Sequence, residues 1–252
     1  MNNLELINKY SDDFEKLYKL YSDFISHTNI SAITSKEDVY RKHFEDSLIT
    51  YPFIAAQLKI SQSFKEILKD HEGDENTEIG NGEQSPNLPL KIIDIGTGGG
   101  FPTLPLALVA DRERLNLHFT ALDSTAKKLK FIEIVKKDLA LKNLNTLAAR
   151  AEEITDGKRE SYDIALCRSV ASLPIILEIC TPLIKLQGYF LAYKQCGKEL
   201  EEATSAMKHL GVELIDRITY FNNEREILIF KKNQNTKKLY PRSYSLIKKS
   251  PL

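Results

Sequence analysis

A chain of 252 residues can form one large domain or two small ones, and 42% hydrophobic with 28% charged residues fits a packed core. Its 35 lysines and arginines balance 35 aspartates and glutamates, which argues against a protein that wraps phosphates in bulk and leaves room only for local basic patches. Cys167, Cys180 and Cys196 form no Cys-x-x-Cys pair, so no metal site is expected and the thiols read as reduced, in the cytoplasm. The opening MNNLELINKY has no basic or apolar leader pattern, and the run 101–110 is too short for a bilayer, so no membrane partner is expected.

In chain order, Phe14, Leu17, Tyr18, Tyr21, Phe24 and Ile25 recur at helical spacing within a first helix over 4–25. Val39, His43, Phe44, Leu48 and Tyr51 repeat the pattern in a second, which Pro52 would bend or end. Residues 1–60 therefore read as a helical cap. Residues 61–89 contain HEGDENTEIGNGEQSPN, too acidic and too poor in large apolar groups to offset ordering entropy, and read as a flexible insertion. From 90 to 232 strands and helices alternate. Strands are expected at 91–95, 117–122, 146–148, 162–166, 188–193, 213–220 and 225–231. Helices are expected after Pro102 and over 125–139, 172–186 and 198–210. This alternation predicts an α/β fold with a mostly parallel seven-stranded sheet wound on both faces, closed by an antiparallel hairpin at Asn222-Asn223. Residues 233–252 form a basic tail.

Ile92-Ile93-Asp94-Ile95-Gly96-Thr97-Gly98-Gly99-Gly100-Phe101-Pro102 is a strand, a glycine-rich turn and a helix start, at the strand end where open α/β sheets bind ligands. The glycines let backbone approach a ligand with no Cβ between them. A P-loop would need Lys-Ser/Thr after the glycines, and a dinucleotide fingerprint needs Gly-x-Gly-x-x-Gly. Here Gly96, Gly98 and Gly100 are spaced Gly-x-Gly-x-Gly. Asp94 would oppose a pyrophosphate but suits S-adenosylmethionine, which has no phosphate and carries an ammonium and a sulfonium. Asp123, ending the second strand, could accept both ribose hydroxyls of an adenosine or cap the following helix.

In order along the chain, these pieces resemble the RsmG/GidB family of bacterial 16S rRNA (guanine-N7) methyltransferases, which use S-adenosylmethionine on a class I, Rossmann-like fold. The matching segments are Asn29-Ile30-Ser31, Lys42-His43-Phe44-Glu45-Asp46-Ser47, Asp94 to Pro102 with Leu104-Pro105-Leu106-Ala107, Asp123-Ser124, Lys127-Lys128, Arg150-Ala151-Glu152, Arg168-Ser169-Val170-Ala171 and the ending from Tyr240. The resemblance implies cofactor contacts at Gly96, Phe101, Ala151, Glu152 and Arg168, with Asp94, Gly98 and Asp123 compatible. This chain departs from it in Thr103 for a usual glycine, Lys194-Gln195 for Lys-Gly, and Tyr244-Ser245 for Pro-Gly.

The implied partner is 16S rRNA of the small ribosomal subunit. Guanine N7 carries a free lone pair, so the reaction needs positioning more than a base. Arg168, following a buried strand at the carboxyl edge, is the candidate catalytic residue, with a surface salt bridge as the other reading. His43 and Asp46 sit one helical turn apart; either His43 is a core histidine hydrogen-bonded to a neighbour, or this helix lines the cleft and helps orient substrate. Lys127, Lys128 and Lys130 near the cofactor edge are candidates for RNA contact. So is Arg242, in a tail where Lys231, Lys232, Lys237, Lys238, Lys248 and Lys249 interleave with Tyr240 and Tyr244. The glycine loop alone also permits a methyltransferase of another RNA or a small molecule, or a noncatalytic cofactor-binding protein that docks on the ribosome.

Overall fold

In the computed structural model, which describes residues 2–28, 32–71, 88–154 and 157–252, the sheet order is β3-β2-β1-β4-β5-β7-β6. The strands are β1 (Leu90–Ile95), β2 (Leu117–Asp123), β3 (Leu144–Ala148), β4 (Tyr162–Arg168), β5 (Ile184–Gln195), β6 (Val212–Tyr220) and β7 (Arg225–Lys232). Strands β1 to β5 pair in parallel, and β7 runs antiparallel to both β5 and β6. The chain reverses direction across the sheet between β1 and β4, so the loops after these strands open a crevice at their carboxyl ends. Ile92 and Ile93 are neighbours on opposite faces of β1 and both are buried, as a parallel strand covered on two sides requires.

One face carries α6 (Thr103–Arg112), α7 (Ala126–Asp138) and the N-terminal cap; the other carries α8 (Leu173–Cys180), α9 (Glu199–Glu202), α10 (Thr204–Leu210) and α11 (Tyr244–Lys249). Thr103 through Ala110 are all buried, because α6 lies between the sheet and the cap and has almost no solvent face. Helix α7 buries Leu129, Phe131, Ile132 and Val135 and turns Lys127 and Lys130 to water.

The cap comprises α1 (Asn3–Lys9), α2 (Ser11–Ser26), α3 (Lys36–Val39), a π-helical stretch at Tyr40–Glu45, the short turn α4 (Asp46–Leu48) and α5 (Tyr51–His71). The single first helix expected over 4–25 is split at Tyr10, whose hydroxyl and the neighbouring Lys9 Nζ both reach Glu113, each at 2.7 Å. Pro52 ends one helix, as expected, and also opens the next, where its missing N–H has no partner to lose. Residues 61–71, expected to belong to a flexible insertion, continue α5; residues 72–87 and Asn29-Ile30-Ser31 lie outside the described residues. The helix expected over 172–186 stops at Cys180, since Pro182 interrupts it, and β5 begins at Ile184, four residues before the expected strand. The expected helix over 198–210 is two short helices.

The tail folds onto the body instead of standing free. Tyr240 and Ile247 are buried in the core on the α8 face, and Lys232 is buried with its ammonium on Glu160, Thr181 O and Ile184 O. Arg159 donates to the carbonyls of Thr236, Lys237 and Tyr240.

A candidate cofactor cleft and the cap that borders it

The glycine turn after β1 closes on the end of β2. Gly96 and Thr97 donate to Leu122 O at 2.8 and 2.9 Å, and Gly98 donates to Asp123 Oδ2 at 3.0 Å. Gly96 and Gly100 have φ of +71° and +86°, and a Cβ on either would fall within 2.5 Å of Val170 or Leu104. Any other residue would be strained in that conformation and would have to displace those side chains. The turn leaves a cleft of about 320 Å³, within the roughly 300–1,000 Å³ typical of small-molecule sites. A larger groove of about 410 Å³, lined by Ile60, Leu186, Gly188 and Tyr189 among others, involves the start of β5, at the sheet end away from the glycine turn.

Of the residues singled out in the sequence, Gly96, Asp123, Lys128, Ala151 and Glu152 line the 320 Å³ cleft together. Asp123 is only 5% exposed, and its Oδ1 also accepts from Thr125 N at 2.8 Å. Asp123 is not the helix cap, since Thr125 holds that position; its carboxylate instead fastens the glycine turn to the segment that leads into α7, and it faces the cleft. Lys128 Nζ lies 3.6 Å from the same carboxylate, while Lys127 is exposed on α7. Ile179 of α8 and Tyr244 of α11 also line the cleft; neither was expected there. Tyr244 marks one of the departures from the family pattern, and that was the available signal.

Asp94 does not face the cleft as expected. It is buried beneath the turn, where Thr103 Oγ1 donates to its Oδ2 at 2.7 Å and its Oδ1 has no hydrogen-bond partner among the described residues. Thr103, another departure from the family pattern, therefore has a specific task. Burial pushes the Asp94 carboxyl up to about 6, against the opposing pull of the Thr103 hydrogen bond.

Arg168, His43, Asp46 and Phe101 come together in a second cluster, between the cap and the core. The Arg168 side chain, 11% exposed, donates through Nη1 to Asp46 Oδ2 at 2.6 Å and to Lys42 O at 3.0 Å. Its other terminal nitrogen reaches His43 Nδ1 at 3.1 Å, and the guanidinium sits 5.8 Å from the Phe101 ring centre. Asp46, 0% exposed, also accepts at Oδ1 from Tyr220 Oη at 2.9 Å and from Arg225 at 3.2 Å. The pair is thus a buried strut and not the surface salt bridge of the alternative reading. Tyr193 of β5 adds a second tie, donating to Ser47 O at 2.9 Å. The π-helical stretch carries Lys42 and His43, and such one-turn irregularities are frequent at functional sites.

His43 stacks on Phe101 with ring centres 4.3 Å apart and planes 2° apart. Arg168 can only donate, so Nδ1 accepts; Nε2 then carries the proton and donates to Tyr21 Oη at 3.1 Å, whose own proton goes to Ile33 O. Burial first, then the Arg168 charge, lower the His43 pKa to about 3. An imidazole so depressed stays neutral in the fold, while the unfolded chain takes up a proton below about 6.5. Stability therefore falls as pH drops from 6.5 towards 3. The wild-type advantage over His43→Gln is expected to shrink by about 2 kcal/mol between pH 7 and pH 5 in urea titrations; a gap that stays constant would refute the neutral assignment.

Arg242 is not free for RNA as expected. Its backbone N and Nε donate to Glu178 Oε1 at 3.0 and 2.8 Å, and its terminal nitrogen to Oε2, on a carboxylate that is 0% exposed. Lys194 is likewise engaged, with Ala171 O at 2.9 Å and Glu199 at 2.6 Å.

A family model described as rRNA small subunit methyltransferase G, GidB, matches residues 65–228. Relatives described as ribosomal RNA small subunit methyltransferase G align along nearly the whole chain. The one from Fusobacterium nucleatum is 34% identical, over 94% of this chain and 89% of its own length. That from Halalkalibacterium halodurans is 34% identical over 96% and 90%, and that from Staphylococcus epidermidis 35% identical over 99% and 93%.

Proposed function

The chain belongs to the rRNA small subunit methyltransferase G family, and on that premise we propose that it methylates N7 of one guanosine in 16S rRNA, with S-adenosylmethionine held in the 320 Å³ cleft. It is a methyltransferase of small-subunit rRNA, and its place of work is the cytoplasm where that subunit is made.

The observation that carries the cofactor reading is the pairing of Gly96 and Asp123 across one cleft. Asp123 accepts one backbone N–H on each oxygen, from Gly98 and Thr125, and each oxygen retains a further acceptor site for a ribose diol. The Gly96 backbone, bare of Cβ, would lie beside the amino-acid end, and Ala151 and Glu152 beside the base. When bound, S-adenosylmethionine supplies an electrophilic methyl group on a sulfonium.

The protein's own groups suit a nucleophile that has no proton to lose. The His43 nitrogens are both engaged, and the Asp46 carboxylate is shared among Arg168, Tyr220 and Arg225. Neither is poised as a general base, and N7 of guanine needs none. Arg168 is then a positioning residue: it holds the cap against the end of β4, at the rim of the cleft. Lys127 and the exposed face of α7 remain candidates for phosphate contact; Arg242 does not.

The test is transfer of labelled methyl from S-adenosylmethionine to small subunits that lack this modification, and to their free rRNA, with the product base mapped. Label at N7 of a single guanosine is the expected result. Label on another atom or another RNA would replace the substrate assignment.

A further inference from the structure

We propose that Tyr244 is the aromatic wall of the cofactor cleft, placed against the adenine ring by the folded-back C-terminal segment. This rests on the reading that the cleft takes S-adenosylmethionine.

The cleft has two chemistries. Gly96, Asp123 and Ser169 bring backbone, carboxylate and hydroxyl groups; Ala151, Ile179 and Tyr244 bring apolar and aromatic surface. The second set shares one neighbourhood, because the turn at Ala151–Glu153 and helix α11 both pack on α8, which carries Ile179. An adenosine group has the same division, a hydroxylated sugar joined to a flat apolar-faced ring. Bases stack on aromatic side chains without needing directional hydrogen bonds.

Tyr244 is also fixed in place. Two residues before it, Arg242 grips the buried Glu178 of α8 with backbone N, Nε and terminal nitrogen. Three residues after it, Ile247 is fully buried. A side chain clamped from both sides along the chain meets a ligand with little further loss of freedom. Arg242, which is not available to phosphate, thus serves as the anchor of Tyr244, the residue that departs from the family pattern.

The chain contains no tryptophan, so Tyr244→Trp places a single one at the cleft. Its emission should change saturably on titration with S-adenosylhomocysteine, with an affinity within about threefold of the wild-type value from calorimetry. Tyr244→Phe should bind like wild type, and Tyr244→Ala about tenfold more weakly, with circular dichroism reporting that it is folded. If Tyr244→Ala is unfolded, the tryptophan signal alone decides. Emission that is flat through saturating ligand, or undiminished affinity in folded Tyr244→Ala, would overturn the proposal. Wild type that fails to bind S-adenosylhomocysteine at all would instead overturn the cofactor reading beneath it.

Discussion

Asp46→Ala is expected to lower the unfolding free energy by about 3–5 kcal/mol and to take methyl transfer down with it. The carboxylate is fully buried and accepts from Arg168, Arg225 and Tyr220, which come from β4, β7 and β6. Its removal leaves the Arg168 charge, 11% exposed, with Lys42 O, His43 Nδ1 and the face of the Phe101 ring to stabilise it, none of them an anion. Asp46→Asn should fall between, since the amide keeps the shape and one acceptor but turns two N–H groups towards existing donors. Urea titration at pH 7 measures both. A midpoint unchanged in Asp46→Ala would mean that the strut contributes nothing net, as some buried ion pairs do when replaced whole.

Asp123→Ala is expected to weaken S-adenosylmethionine binding by about a hundredfold or more in calorimetry. Two losses add: the ribose acceptors, at about 1.5–3 kcal/mol for each hydrogen bond to a charged group, and the fastening of Gly98 and Thr125. Asp123→Asn separates them, because it can still accept from one backbone amide while its NH2 opposes the other. Equal affinity in Asp123→Ala and wild type would remove Asp123 from the cofactor site and leave it only as the tie between the glycine turn and Thr125.

The sheet was readable because its strands are short apolar runs bounded by glycine, proline or polar turns, and all seven lie where expected to within a few residues, β5 excepted. There the run from Leu173 to Leu186 is apolar almost throughout, and periodicity cannot divide a buried helix from the buried strand that follows it. Residues 61–71 were misjudged from their acidic neighbours. The glycine turn and Asp123 were legible because their chemistry is local. Asp94, two residues before the turn, was legible as important but not in its direction, since a residue's side of a twisted sheet depends on what packs there. Arg242 shows the same limit: composition marks a charge, but only the fold supplies Glu178, 64 positions away. Arg168 and His43, 125 positions apart, were each picked out with no hint that they touch.

Asp46 is a three-way junction, and that bears on how such chains can be recombined. Its partners sit on the central strand β4 and on both arms of the edge hairpin, so the first and last quarters of the sequence share one ionic node. This chain's cap, transplanted onto a relative, would arrive with Asp46 but depend on the recipient for a tyrosine and two arginines matched in reach. Crossovers that separate residues 40–48 from 168 and 220–225 should therefore yield hybrids limited by this mismatch rather than by the glycine turn.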